Sequence, residues 1–184
     1  ITWPNHGWFF EQAIAQQGAD LANNGNGREG RATEVFFNSD AVVAYVTWWQ
    51  QLNEIGYYRY TGIQRDWGGT FNAFETQKVA FLVSTSVAAK YITDITAENF
   101  ETAASRMPYN EETGYHGNII GGGTLWLNNG LDEATETGAL MFMNWLINPE
   151  NAAAWHQMTG HIPLTNAAVE YLEGEGWFEE NPNT

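Results

Sequence analysis

The sequence predicts an α/β fold, a mixed or parallel sheet flanked by helices. Two observations carry this. Segments with apolar residues three or four apart alternate with short β-branched or aromatic runs, the order that strand-helix units produce. The helical segments also carry start and stop residues at their ends. In addition, 184 residues with 43% apolar content, nine Trp, eight Tyr and ten Phe suffice for one packed domain or two small ones.

The elements follow in order. "GWFFEQAIAQQGADLA", from Gly7, reads as a helix despite Gly18. "NNGNGREGRA" is an Asn/Gly loop that lacks the acidic ligands of a calcium loop. "TEVFF" reads as a strand. The next segment, residues 37–56, places Val42, Tyr45, Val46, Trp49, Leu52 and Ile55 at helical spacing, with Asn38 or Ser39 as cap and Gly56 as the stop. "VAFLVS", "FETAASRM" and "NIIGGGTLWL" are the remaining strand candidates. "DEATETGALMFMNWLI" has acids in its first turn, favourable to the helix dipole, and an apolar run that reads as a buried helix, too short for the ~20 residues a membrane span needs. "NPENAAAWHQMTG" offers Asn148 as N-cap, Pro149 at the first helical position and Gly160 past the end. "TNAAVEYLEGEG" is a further helix capped by Thr165.

Charge excludes several functions. Twenty-two Asp and Glu against seven Lys and Arg give −15, which repels phosphate backbones and anionic membranes, so no nucleic acid is expected as a partner. The acidity reads equally as a salt adaptation or as a merely acidic secreted protein. With no cysteine there is no disulfide, thiolate site or cysteine nucleophile.

Motif chemistry narrows the rest. The triplet Gly121-Gly122-Gly123 is neither a P-loop nor a G-x-G-x-x-G turn, because "TLWL" follows. It reads first as a bend or hinge, with contact to phosphate through free amides left open. His156 and His161 lack metal-site spacing, and no metal or cofactor is expected; His156 reads as lying on a helix surface, and His161 opens an extended "HIPLT". Ser84, Thr85 and Ser86 follow an apolar strand, where open α/β sheets contact ligands, and the same hydroxyls suit helix capping. Trp3 and Trp8 bracket a Pro-Asn-His-Gly turn; their indoles can stack on a sugar or glycerol backbone, or close the core. Asp66 and Glu75 near Trp67 are the candidates for a glycoside hydrolase pair, but no catalytic motif asks for one, and the chain is not expected to be an enzyme.

"IIGGGTLW", "NPENAAAWHQMTGHIPLTNAAVEYL" and "GWFEENP" together resemble the extracellular solute-binding proteins of ABC importers, nearest to the glycerol-3-phosphate-binding type. "VFFNSDAVVAYVTWW" and "FETQKVAFLVSTS" fit the same family in order. The resemblance implies a type II periplasmic-binding-protein-like fold, in which two α/β lobes close on a small polar solute. It implies that residues 1–117 form most of the second lobe, that 118–160 hold a crossing strand and helices packed on the first lobe, and that 161–184 return to the second. The N-terminal lobe and a secretion signal would lie outside this chain, making it a fragment of a periplasmic or extracellular protein served by ABC permease subunits.

By the same resemblance, Ser84, Thr85 and Ser86 offer hydroxyls to the ligand, with Thr85 the best match. The glycine pair Gly121 and Gly122 offers the Gly122 amide. His161 stands where relatives have tyrosine, and Trp8 and Trp3 wall the cleft. The implied ligand is sn-glycerol-3-phosphate or a glycerophosphodiester, with a sugar or oligosaccharide as the alternative. Gln77 stands where relatives often have glycine.

Overall fold

The computed structural model describes residues 1–184. The chain forms two compact units, unit 1 from residues 1–84 and 106–121 and unit 2 from residues 85–105 and 122–184. The chain therefore passes from one to the other after Ser84, Ser105 and Gly121.

Unit 1 holds α1 (Gly7–Ala15), α2 (Asn23–Gly27), α3 (Asp40–Glu54) and α4 (Trp67–Glu75). His6 caps α1 with its ring, Nδ1 accepting from the Trp8 N–H at 3.0 Å. Helix α2 is a single turn in which Asn24, Gly25 and Asn26 all have left-handed angles. It is stapled by its own amides: Asn26 Oδ1 accepts from the Leu21 and Ala22 N–H groups, and Asn23 Oδ1 from those of Thr33 and Glu34. Helix α3 follows the expected bounds, and Gly56 beyond it has φ 75°. Asp66 caps α4 by accepting from the Gly69 N–H at 2.8 Å, so one of the two suggested hydrolase acids is occupied in capping.

The core of unit 1 is Trp3, Phe9 and Tyr58, with Trp8, Trp48, Trp49, Leu52, Trp67, Val83 and Met107 packed around it. Thr2 threads it to two distant segments. Its N–H donates to the Phe81 carbonyl (3.0 Å), its carbonyl accepts from the Val83 N–H (2.9 Å), and its hydroxyl donates to the Arg59 carbonyl (2.7 Å).

The mixed sheet expected from the sequence is not formed. "VAFLVS" contributes one parallel bridge, Thr2 to Leu82, and "TEVFF" one antiparallel bridge, Ala22 to Val35. "FETAASRM" and "NIIGGGTLWL" form no strand. Alternation in a sequence says which side chains turn inward, whereas a strand also needs a neighbour in register along several residues. Within this chain the neighbour is present only around Thr2 and Ala22.

Unit 2 holds a 3-10 turn at Ser86–Ala88, then α5 (Ala89–Thr96), α6 (Glu133–Leu146), α7 (Pro149–Thr159), α8 (Asn166–Gly174) and α9 (Trp177–Glu180). The expected caps are in place: Asn148 Oδ1 accepts from the Glu150 N–H, and Thr165 Oγ1 from the Ala168 N–H. Asp132 caps α6, and its hydrogen bonds with Thr135 hold its carboxyl below the usual range. Helices α7 and α8 pack through Ala152, Ala153, Ala168 and Leu172. Asn183 ties the chain's end back, donating to the Thr102 carbonyl and accepting from the Ala104 N–H. Helix α6 departs from its expected burial: none of its residues is buried, and Met141, Phe142 and Trp145 are exposed. An apolar stripe marks a face to be covered but does not say by what.

Two turns are fixed by left-handed residues. Gln77, one past the cap of α4, has φ 57°; its N–H bonds the Phe74 carbonyl and the Lys78 N–H bonds that of Ala73, a Schellman turn that normally uses glycine. Gly160 has φ 73°, and a methyl group on it would lie 2.9 Å from the Val87 carbonyl oxygen.

Three outcomes are expected. Gln77→Gly should stabilise the chain by about 1 kcal/mol, since a side chain in the left-handed region costs roughly that, read as a higher midpoint in urea unfolding. Gly160→Ala should destabilise by about 2 kcal/mol or more from backbone strain and the Val87 contact, measured the same way. The third concerns Tyr58, whose buried hydroxyl has no partner and whose pKa burial, with Tyr60 nearby, pushes up to about 12. Burial, with Tyr58 nearby, likewise raises Tyr45. Unfolded tyrosine ionises near 10, so stability is full below about pH 10 and falls as pH climbs toward about 12. Tyr58→Phe should flatten that fall in urea titrations and raise stability at neutral pH by up to about 1 kcal/mol.

Candidate functional site

Four of the expected ligand residues lie in unit 1. Trp3 is in the core, 4% exposed, its ring stacked on Trp48 (5.8 Å, 12°) and tilted against Tyr58 (4.2 Å) and Trp49 (5.5 Å). Trp8 is half-buried, held edge-on against Phe9 at 5.2 Å. Gly121 comes up to its indole: a methyl group there would sit 3.7 Å from Trp8 Nε1. Ser84 ends the segment that Thr2 binds, and its hydroxyl is buried with no hydrogen-bond partner. A buried hydroxyl without a partner forfeits its hydration, a cost of about 1–3 kcal/mol, so such groups call for a use.

Helix α1 positions the run into the glycine triplet. The Gln12 side chain accepts from the Ile119 N–H at 2.7 Å and donates to Asn118 Oδ1 at 2.9 Å, and Gln16 donates to the same oxygen at 3.0 Å. Gln12 and Gln16 are 1% and 2% exposed. They were missed from sequence, although two glutamines one helical turn apart on an apolar face were the available signal.

The other four lie in unit 2. Gly122 has φ 134°, an angle open to glycine and closed to most side chains. Thr85 opens the 3-10 turn without using its side chain as a cap, and Ser86 is exposed. His161 is half-buried, with Nδ1 3.0 Å from Thr159 Oγ1 and its ring 6.2 Å from that of Trp155. Gly160 brings this segment onto Val87, two residues beyond Thr85, so the hydroxyl loop and the His161 turn adjoin.

The sequence reading misplaced His156. It is buried, 4% exposed, not on a helix surface. Trp177 donates to its Nε2 (3.1 Å), and its Nδ1 meets the His161 carbonyl (2.8 Å). The cause is the return of α9 over α7, which puts Trp177 and Phe178 against the ring. No feature local to "AAWHQM" reports that.

Comparison with known proteins places the chain. Residues 1–184 match the family described as bacterial extracellular solute-binding protein. The sn-glycerol-3-phosphate-binding periplasmic protein UgpB of Pectobacterium atrosepticum is 34% identical over 181 residues, covering 96% of this chain and 39% of the relative. UgpB of Escherichia coli K12 is 31% identical over 179 residues, covering 96% of this chain and 40% of the relative. The chain thus spans about two fifths of the length of these curated relatives. It belongs to the bacterial extracellular solute-binding protein family.

Proposed function

We propose that the protein carrying this chain captures sn-glycerol-3-phosphate or a glycerophosphodiester outside the cell membrane and delivers it to an ABC permease. The observation that carries this reading is the likeness, along 96% of the chain, to proteins named for that ligand. The geometry adds support in the buried, partnerless Ser84 hydroxyl, the uncapped Thr85 side chain, the bare backbone at Gly122 and the half-buried Trp8. Hydroxyls, backbone amides and an aromatic face are the groups that hold small polar solutes.

In this reading the protein has the type II architecture with a mixed sheet completed by residues outside the chain, and two lobes close on the solute. Residues 1–117 and 161–184 belong to the second lobe. Residues 118–160 hold the crossing segment and the helices that pack on the first lobe; the exposed Met141, Phe142 and Trp145 of α6 suit such a contact. Ser84, Thr85, Ser86, the Gly122 amide, Trp8 and His161 contact the ligand, and Trp3 backs the aromatic wall from the core. Closure is favoured because the ligand binds the closed form better than the open one.

A sugar or oligosaccharide is the second reading, favoured by the half-buried indole of Trp8, an aromatic surface of the kind on which sugars stack. A thermal-shift comparison of the full-length protein separates the two. sn-Glycerol-3-phosphate or glycerophosphocholine at about 100 times its dissociation constant should stabilise it by about 2.7 kcal/mol, with maltose inert. Stabilisation by maltose alone would favour the sugar, and no stabilisation by any of the three would overturn the proposal. Trp8→Phe should diminish the fluorescence change that ligand produces; an undiminished change would remove Trp8 from the site.

A further inference from the structure

One hydrogen-bond chain in unit 2 runs through two histidines. Trp177 Nε1 lies 3.1 Å from His156 Nε2, and His156 Nδ1 lies 2.8 Å from the His161 carbonyl oxygen. His161 Nδ1 lies 3.0 Å from Thr159 Oγ1, which lies 2.6 Å from the Trp155 carbonyl oxygen. The chemistry of the partners fixes the protons. An indole N–H only donates, so His156 Nε2 accepts; a carbonyl only accepts, so His156 Nδ1 donates. His156 is therefore the neutral Nδ1–H tautomer.

The same logic reaches His161. The Thr159 hydroxyl gives its one proton to the Trp155 carbonyl and accepts from the His161 backbone N–H at 3.3 Å. It can only accept from the ring as well, so His161 Nδ1 donates to it. The edge of His161 that remains is Nε2, which in the neutral ring is a lone pair.

We propose that His156 is a positioning residue for ligand recognition: with Trp177 and Thr159 it fixes His161 so that Nε2 is the ring atom His161 presents to the ligand. This rests on the reading above that His161 touches the ligand. It leaves Nε2 as the one ring nitrogen with which His161 meets the solute, Nδ1 being held by Thr159. His156 serves this role through burial, 4% exposed between α7 and the aromatic pair Trp177 and Phe178. Its bond to the His161 carbonyl sets the backbone from which the ring projects, and Gly160 at φ 73° allows the chain to turn back to it.

The test is nitrogen NMR of the full-length protein labelled at histidine and tryptophan, joined to calorimetric titration with sn-glycerol-3-phosphate. Both rings should carry a proton on Nδ1, with coupling across the bond from Trp177 to His156 Nε2. His156→Phe, which keeps a ring but neither bond, should free the His161 backbone, shift the His161 ring signals and weaken binding about tenfold. His156→Asn keeps a donor toward the His161 carbonyl and should hold the His161 signature, with affinity within about threefold of the parent. Should His156→Phe fail to fold, Trp177→Phe decides, since it removes only the donor and should shift both histidine signals. A proton on His156 Nε2, a bare Nδ1 on either ring, or an unchanged His161 signal in a folded His156→Phe protein would overturn the inference. Intact tautomers in a protein that binds none of the three solutes would support the ring geometry and sink the transport reading instead.

Discussion

In unit 1 the backbone of Thr2 is bonded on one side to the Phe81–Val83 segment while its hydroxyl reaches Arg59 on the other. The residue is wholly buried. Buried N–H, C=O and hydroxyl groups have to be paired, because each left unpaired loses its water without return. Meeting that constraint at Thr2 draws together segments far apart in sequence. Once they are together, Trp3 is forced inward next to Thr2, and Trp48, Trp49 and Tyr58 close around it. The expected cleft tryptophan is thereby the centre of a core, while Trp8, five residues on, keeps part of its ring accessible.

The same constraint organises the segments that carry the candidate site. Gln12 and Gln16 satisfy each other's surroundings by holding Asn118 and Ile119, which delivers the chain to Gly121 beside Trp8. In unit 2, His156 is satisfied at both ring nitrogens and so sets the turn through Gly160 to His161. Ser84 breaks the pattern in unit 1, as Ser39 and Tyr58 do, with a buried hydroxyl and no partner. Each such group has a cost in a folded protein, and the Ser84 hydroxyl is the one of the three that the resemblance places at the ligand.

Glycine and its substitute show how local chemistry and packing combine. Gly160 is needed twice, for its left-handed angle and for the approach of Val87, and the second need joins the hydroxyl loop to the His161 turn. Gly122 is needed for its angle alone, with open space where a side chain would point. Gln77 holds a left-handed position with a full side chain, so the turn after α4 carries strain that the hydrogen bonds of Phe74 and Ala73 offset.

The sequence by itself determined the helices and their ends. Asn148, Pro149, Gly160 and Thr165 act within a few residues of themselves, so their effect is readable without the fold. It also determined the family, through motifs spread along the chain. The tertiary structure decided the rest: that "NIIGGGTLWL" and "FETAASRM" stay unpaired, that α6 keeps its apolar face in the open, that Trp3 is core, and that His156 is buried under Trp177. Each of those depends on a partner distant in sequence. Periodicity and caps are properties of a segment, whereas pairing and burial belong to whatever the fold brings against it.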